Sequence, residues 1–258
     1  MARSPTIITL VTVDNKRGCP RLTFTEEPMI HQFIFANPKP GMSVQEFQNY
    51  WVNIHAVQYA SKIKQIKKYM IDTVIPILGQ EPKFQGIAEI WIHPEEQLES
   101  LQSSEFLNGA RLDEPNWAAF WMTLCLDTNP TILLEGPPLS KNQSWVKETI
   151  VVKRNLGIPL EIFRTHLLQV YGPMLLELPD VRRCLIGTTV DGFYGLGEAV
   201  FDAVIQLWYD TTAGMEQVVN SRHFQNRIKS VANQLFDPAH RFMLAANENW
   251  IIGPEPRP

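Results

Sequence analysis

The segment MIHQFIFANPKPGMSVQEFQNYWVNIHAVQ (Met29–Gln58) is the most informative part of the sequence, because the chain repeats its pattern past the middle. The second copy reads WVKETIVVKRNLGIPLEIFRTHLLQVYGPM (Trp145–Met174). In each copy a strand-like apolar run leads through a turn with glycine into a helix that has an apolar face. The matched pairs, all 116 residues apart, are Gly41 with Gly157, Phe47 with Phe163, Trp51 with Leu167, and His55 with Tyr171.

The match continues downstream, as expected of a duplication. IKKYMI (Ile66–Ile71) matches VRRCLI (Val181–Ile186), and FQGIAEIWI (Phe84–Ile92) matches FDAVIQLWY (Phe201–Tyr209). Each copy reads strand, helix, strand, strand, helix, strand, which is the order of a ferredoxin-like unit. One such unit leaves one apolar face of its sheet uncovered, so two copies in one chain can bury these faces against each other.

We therefore predict an α+β fold of two ferredoxin-like (β-α-β-β-α-β) repeats, packed as two facing sheets about a pseudo-two-fold axis. Residues 29–140 form repeat 1, residues 141–258 form repeat 2, and residues 1–28 form an N-terminal extension with an added strand and loop. The second helices are expected at Glu95–Ala110 and Thr211–Gln234, and the last strands at Thr131–Glu135 and Asn249–Ile252. Because both copies are in one chain, we expect a monomer with pseudo-dimer architecture or a homodimer.

Composition argues against several classes of partner. Lys and Arg total 23 and Asp and Glu total 27, so the formal net charge is −4, whereas nucleic-acid binders usually carry a basic surplus. No apolar run approaches the ~20 residues of a membrane span, and Thr6–Val13 lacks the features of a secretory signal, so we predict a cytoplasmic protein. The three cysteines are widely spaced and are interpreted as small buried hydrophobes. The six histidines form no metal-binding motif, so no protein-held metal is expected.

His55 is the leading candidate for chemistry. It lies four residues after Trp51 and eight after Phe47, so it shares their face of the helix and points toward the sheet. An imidazole in an apolar pocket titrates near neutral pH and can act as a general acid or base. The alternative is a half-buried histidine bonded to a backbone carbonyl. Its counterpart Tyr171 can donate a hydrogen bond but is too weak a base at neutral pH.

Several other residues have both a functional and a structural interpretation. Tyr69 begins the next strand and either presents a phenol beside His55 or only packs across strands. His31 shares a strand face with Phe33 and Phe35, which places it in a pocket or in the barrel core. His166, a polar residue on a mostly apolar helix, pairs with Tyr50 in the repeat.

The remaining candidates lie on strands and loops. Lys68 and Arg183 are matched cations that either bind a carboxylate or form a solvated face. Trp121 belongs to an aromatic cluster that is either core or the wall of a pocket for a flat ligand. The loop Gly187–Val200 is rich in glycine and fits a mobile lid over the second pocket.

Taken together, these motifs resemble a known family. PGMSVQEFQNYWVNIHA, with Phe47, Tyr50, Trp51 and His55-Ala56, resembles the signature of the EthD family in the dimeric α+β-barrel superfamily. The strand residues Lys67-Lys68-Tyr69 and the run from Phe84-Gln85-Gly86 to Trp91 extend the resemblance. The second copy keeps Phe163, Gly172-Pro173, Arg182-Arg183, Phe201-Asp202 and Trp208, and departs from the pattern at Tyr171. The resemblance implies an intramolecular dimeric α+β barrel.

What the resemblance implies about activity is broader, because fold does not fix function. Relatives include cofactor-free cyclases, decarboxylases and dehydratases acting on polyketide-type phenolic substrates, heme-binding members of the wider superfamily, and stress proteins without known activity. We expect a cofactor-independent lyase or cyclase of secondary metabolism, acting on a small aromatic or polyketide-type substrate in a repeat 1 pocket. The alternatives are a non-catalytic ligand-binding or accessory protein and, third, a heme-binding enzyme. The expected catalytic residues are His55 and Tyr69, and the expected substrate-binding residues are His31, Tyr50, Trp51, Trp121, Tyr171, His166 and Arg183.

Overall fold

The computed structural model describes residues 29–77, 81–141 and 143–258. The predicted N-terminal extension, residues 1–28, lies outside the described residues. Within the described parts of the chain, no helix combines the length and the apolar character that crossing a bilayer requires.

Eight antiparallel strands close into one barrel, in the order β1-β3-β2-β8-β5-β7-β6-β4. Each repeat contributes four consecutive strands in the order 4-1-3-2, which is the ferredoxin-like arrangement, so the predicted fold class is confirmed. The strands are β1 (Ile30–Ala36), β2 (Ile66–Ile75), β3 (Gly86–Ile92), β4 (Leu124–Leu134), β5 (Val146–Arg154), β6 (Arg183–Thr189), β7 (Ala203–Tyr209) and β8 (Phe236–Ile252).

The two facing sheets are joined at both edges and form one closed barrel. The last strand of each repeat is longer than predicted and spans both repeats. The first part of β4 pairs with β1, and Thr128–Leu134 pairs with β6. Likewise β8 pairs with β5 along its first part and with β2 from Ala245 to Ile252. Closing the barrel in this way leaves none of the eight strands with an unpaired edge.

The first helix of repeat 1 begins where its sequence places a cap. The backbone N–H of Glu46 donates to Ser43 Oγ over 3.2 Å, and the backbone N–H of Ser43 donates to Glu46 Oε2 over 2.9 Å. This reciprocal capping box starts α1 (Val44–Tyr50). The helix continues as a π-helical segment, Trp51–Tyr59, and ends in a 3₁₀ turn, Ala60–Lys62.

The other helices are shorter than the predicted spans, because turns and π-helical segments interrupt them. In repeat 1 the second helical region consists of a 3₁₀ turn Pro94–Glu96, α2 (Gln97–Gln102), a π-helical segment Phe106–Ala110, α3 (Arg111–Asp113) and 3₁₀ turns Glu114–Asn116 and Phe120–Met122. In repeat 2 the helical regions are α4 (Leu160–His166), a π-helical segment Leu167–Tyr171, α5 (Gly172–Leu175), a 3₁₀ turn Asp191–Tyr194, α6 (Thr212–Asn220), a π-helical segment Phe224–Ile228 and α7 (Lys229–Leu235).

The apolar side chains form three main layers. Inside the barrel, Phe33 and Phe35 pack with Val151 and Leu244, which come from strands of both repeats. Outside the barrel, the helices of repeat 1 pack on their own strands around Phe47 and Trp51, and those of repeat 2 pack around Phe163 and Leu167. The helices therefore flank the barrel, and each repeat has a helix-to-sheet interface in which a cavity can form.

Candidate functional site

A cavity of about 330 Å³ lies in the helix-to-sheet interface of repeat 1. This first-repeat cavity has a size within the usual range of small-molecule sites. Its lining is mostly apolar, with a few polar groups. The lining residues include Gln32, Trp51, His55, Tyr69, Gln97, Ser100, Arg111, Glu114, Trp117, Phe120 and Cys125.

His55 lies at this cavity and bonds to a carboxylate on the side away from it. Its Nδ1 is 2.9 Å from Asp113 Oδ2, and both side chains are buried. Asp113 is at the end of α3 and does not line the cavity, so the ring edge that carries Nε2 faces the cavity. Within the described residues Nε2 makes no hydrogen bond. His55 belongs to the π-helical segment Trp51–Tyr59, and such irregular turns are frequent at functional sites.

Asp113 is held in place by three donors. Its Oδ1 accepts from the Tyr50 hydroxyl over 2.8 Å and from Asn116 Nδ2 over 3.0 Å, while Oδ2 faces His55. Burial raises the pKa of Asp113, but the hydrogen bonds from Asn116, His55 and Tyr50 outweigh it, so the pKa lies below its usual value. Asp113 is therefore an anion at neutral pH.

The protonation of His55 follows from these contacts. Burial lowers the pKa of His55, and the neighbouring Asp113 carboxylate only partly offsets that effect. The imidazole is therefore neutral at pH 7. Because the carboxylate can only accept, the proton sits on Nδ1 and Nε2 carries the free lone pair. A base with a fixed tautomer thus faces the first-repeat cavity.

Aromatic rings form the walls around this base. The Trp117 ring centroid is 4.7 Å from that of His55 and 4.7 Å from that of Trp51. Gly86 makes room for this packing, because a Cβ there would come within 2.8 Å of the Trp51 ring. Tyr69 lines the same cavity, and burial raises its pKa well above the usual value, so it is a neutral phenol.

The structure brings together His55, Tyr69 and Trp51 at one cavity, as the sequence predicts. It gives Tyr50 a different position, since its hydroxyl bonds to Asp113 rather than lining the cavity. Trp121 and His166 do not line this cavity, and their role in substrate binding stays a prediction. Trp121 is 73% exposed, and His166 is also on the surface, because each lies on the outer side of its helical turn.

His31 lies in the barrel interior and not in the cavity. Its Nε2 is 2.8 Å from Glu89 Oε2, and its ring stacks on Trp91 with centroids 4.1 Å apart. Lys147 Nζ completes the cluster, 2.6 Å from Glu89 Oε1 and 2.8 Å from Asp72 Oδ1. His31 is therefore part of a buried network of charges inside the barrel and does not line the first-repeat cavity, and its role in substrate binding stays a prediction.

Arg183 is also far from the cavity. Its guanidinium donates to the backbone carbonyl of Glu135 over 2.9 Å and lies over the Trp208 ring. Arg183 lines neither this cavity nor the one in repeat 2, and its role in substrate binding stays a prediction.

Tyr171, the counterpart of His55, is buried at a separate cavity in repeat 2. The predicted lid does not cover that cavity, since residues 190–200 are absent from its lining. Ion pairs tie this loop to other elements instead. Arg154 bonds to Glu198 over 2.8 Å, and Arg164 bonds to Asp191 over 2.7 Å.

Three features of the site were not predicted from the sequence. Asp113 follows His55 by 58 residues and lies in LDEPN, where Pro and Asn suggest only a turn. Glu114 and Gln97 line the cavity from the same helical region. Cys125 was expected to be a buried hydrophobe, but it is exposed and lines the cavity. Among the described residues, no group of three or more His, Cys, Asp or Glu is arranged to hold a metal ion.

The fold and the flanking cavities define a class of protein, the dimeric α+β barrel, here completed by a single chain. Within that class, residues 39–120 match the family model of the EthD domain. The family resemblance of repeat 1 is thereby confirmed, whereas the resemblance of repeat 2 to the same family stays a prediction.

Two solved structures share the barrel over most of its length. One is described as an anthrone oxidase-like protein, with 10% identity and a TM-score of 0.60, and the match covers 88% of this chain and 94% of the other. The other, from Fusobacterium nucleatum subsp. nucleatum, is provisionally described as a monooxygenase, with 8% identity and a TM-score of 0.56. The match covers 90% of this chain and 98% of the other. At these identities the likeness shows the fold alone. No curated protein matches the chain in sequence.

Proposed function

We propose that the first-repeat cavity is the active site of a cofactor-independent enzyme that moves a proton on a small aromatic or polyketide-type substrate. The observation that carries this proposal is the buried contact of 2.9 Å between His55 Nδ1 and Asp113, which leaves Nε2 free at the cavity. The reaction classes that use this chemistry are cyclisation, decarboxylation and dehydration.

The proposed step is general base catalysis. His55 Nε2 takes a proton from a phenolic oxygen or from an acidic carbon of the substrate, and the electron pair stays on the substrate as a phenolate or enolate. The imidazolium that forms is stabilised by the Asp113 carboxylate, and it returns the proton to the product. Catalysis of this kind contributes about 10²–10⁴-fold to a rate.

The walls of the cavity support the substrate class. Trp51, Trp117 and Phe120 offer flat apolar surfaces to an aromatic ring, and Tyr69 offers a neutral hydroxyl that can donate to an enolate oxygen. The anthrone oxidase-like neighbour, similar to this chain in fold, is named for anthrone, a tricyclic aromatic ketone. We use anthrone as a probe for that reason, because its benzylic carbon is acidic.

The heme alternative requires groups that this cavity does not offer. Of the described residues that line it, Arg111 is the one cation, and it is already paired with Glu114. The two propionates of a heme would then lack cationic partners at this cavity. His55 Nε2 could ligate an iron, but the propionates would have no free cation at this cavity, so we expect a spectrum of the purified protein without a Soret band.

Solvent exchange tests proton transfer directly. Anthrone is incubated under nitrogen in D₂O with the protein, and the entry of deuterium at the benzylic carbon is followed by NMR. We expect the protein to accelerate this exchange. Binding of anthrone without any acceleration would favour the non-catalytic ligand-binding alternative and would contradict the proposed function.

A further inference from the structure

Repeat 2 contains its own cavity, of about 460 Å³, between its helices and the outer face of β5 and β8. This second-repeat cavity is the pseudo-two-fold counterpart of the first. Tyr171 occupies the place of His55, and Glu148 occupies the place of Gln32, each 116 residues further along the chain. The two cavities therefore correspond in part, but the second one extends along β8 and differs in its polar groups.

Glu148 is the unexpected group in this cavity. It lies in β5 on the face that packs against the helices and is 2% exposed. Its Oε2 accepts a hydrogen bond from the Tyr209 hydroxyl over 3.0 Å, and no Lys, Arg or His of the described chain forms an ion pair with it. Burial raises the pKa of Glu148 to about 7, against a smaller opposing effect of Tyr209.

A buried carboxyl without a cation is costly for folding, and an apolar residue at this position would avoid that cost. The side chain lines the cavity, beside the apolar Ile150 and the phenol of Tyr171. At neutral pH its protonated form can donate a hydrogen bond to a carbonyl or hydroxyl oxygen in the cavity. Glu148 and Tyr171 thus place two polar groups in the buried inner part of the cavity.

The solvent side of the same cavity is cationic. Lys83 and Lys229 are exposed lining residues, and Arg241 is half-buried. Lys83 Nζ lies 5.1 Å from the centre of the Phe242 ring, another lining residue, which fixes this cation near the opening. Glu81 is the acidic lining residue on this side, so cations outnumber acids at the opening.

We propose that the second-repeat cavity is a separate binding site for a flat aromatic anion, such as an aryl carboxylate or sulfonate. The aromatic body packs on Ile150, Phe224 and Tyr171, the anionic group pairs with Arg241 and Lys229 at the opening, and Glu148 hydrogen-bonds a polar atom of the inner end. This site does not depend on the proposed function of repeat 1, because it shares no lining residue with the first-repeat cavity.

The test is calorimetric titration of the full chain with 1-anilinonaphthalene-8-sulfonate, beside the uncharged N-phenyl-1-naphthylamine, which has the same aromatic body. Two matched variants block one cavity each. Ala232→Phe fills the second-repeat cavity, and Ala110→Phe fills the first, and both alanines are buried lining residues. We expect Ala232→Phe to abolish binding of the sulfonate and Ala110→Phe to leave it unchanged.

Substitutions at the opening test recognition of the anionic group without changing the buried core. The double variant Lys229→Gln and Arg241→Gln should weaken sulfonate binding at least tenfold and leave binding of the uncharged probe unchanged. These two positions are not fully buried, so they decide the question even if Ala232→Phe does not fold. The proposal is overturned if the sulfonate does not bind, if Ala110→Phe abolishes its binding, or if the double variant binds it as tightly as the wild-type chain.

Discussion

The replacement Asp113→Asn should remove the base while leaving the shape of the site intact. In the native site two donors, the Tyr50 hydroxyl and Asn116 Nδ2, meet on Oδ1, and His55 Nδ1 meets Oδ2. An amide has a single acceptor oxygen, and the two donors will hold it on their side. The amide NH₂ then faces His55 Nδ1, which must accept. The proton of the imidazole moves to Nε2, and the lone pair at the cavity is lost.

The expected cost can be stated for rate and for stability separately. Where a carboxylate fixes the tautomer of a catalytic histidine, its replacement by the amide costs about 10⁴-fold in rate, and we expect about 10²–10⁴-fold here. The variant loses a hydrogen bond to a charged group but gains one from the amide to Nδ1. The free energy of unfolding should therefore fall by no more than about 1.5 kcal/mol.

Two assays are needed, anthrone exchange in D₂O for the rate and ¹⁵N NMR for the tautomer of His55. Tyr50→Phe is the matched control, because it removes one donor from Asp113 but leaves the contact with His55 intact. Its rate should fall by no more than about fivefold, equivalent to one hydrogen bond of ~1 kcal/mol. An Asp113→Asn variant with the native tautomer or the native exchange rate would refute this reasoning.

Four further outcomes are expected. Tyr171→Phe should leave anthrone exchange unchanged, since Tyr171 lies at the other cavity, and a loss comparable to that of Asp113→Asn would contradict the assignment to repeat 1. Gly86→Ala should lower the free energy of unfolding by about 1–3 kcal/mol, measured by urea denaturation, because its Cβ would meet Trp51 at 2.8 Å; native stability would mean that Trp51 can move aside. Lys147→Met should lower the free energy of unfolding at pH 7 by about 3–5 kcal/mol, because Asp72, Glu89 and Glu248 lose their buried cation. An unchanged free energy of unfolding in the same assay would show that the three carboxyl groups rearrange. The exchange rate should stay constant from pH 8 down to about 6.5, the ordinary pKa of a histidine, and fall only below it, because burial lowers the pKa of His55. The free energy of unfolding should also decrease as the pH falls through this range, since the unfolded chain binds the proton at a higher pH than the folded chain does. A rate that already falls above about pH 6.5 would contradict this.

The strand order follows from the repeat alone, but the closure of the barrel does not. Pairs such as Phe47 with Phe163 identify two copies of one unit, and the ferredoxin-like order then places each strand beside its neighbours. The last strands begin well before the predicted Thr131 and Asn249, and they contain Pro130 in β4 and Pro238 in β8, although proline usually interrupts a strand. Pro130 is accepted in β4, opposite Gly187, where the strand passes from one repeat to the other.

Only part of the candidate site can be predicted from the sequence, for a related reason. Helical spacing places His55 and Trp51 on the inward face, and this needs only local geometry. The partner of His55, Asp113, comes from a helical region 58 residues away, whose breaks by π-helical segments and 3₁₀ turns no periodic pattern reveals. Glu148 was overlooked because its strand, buried on both faces, shows no alternation that would mark an unusual charge.

The measurement that tests proton transfer by His55 most directly is the rate of deuterium entry into anthrone at saturating concentration, for the wild-type chain and for His55→Ala. Saturation separates the chemical step from binding, which calorimetry measures on the same samples. We predict a rate about 10²–10⁴-fold lower in the folded variant, with anthrone still bound. An exchange rate equal to that of the wild-type chain would show that His55 is structural and that the first-repeat cavity transfers protons by another group or not at all.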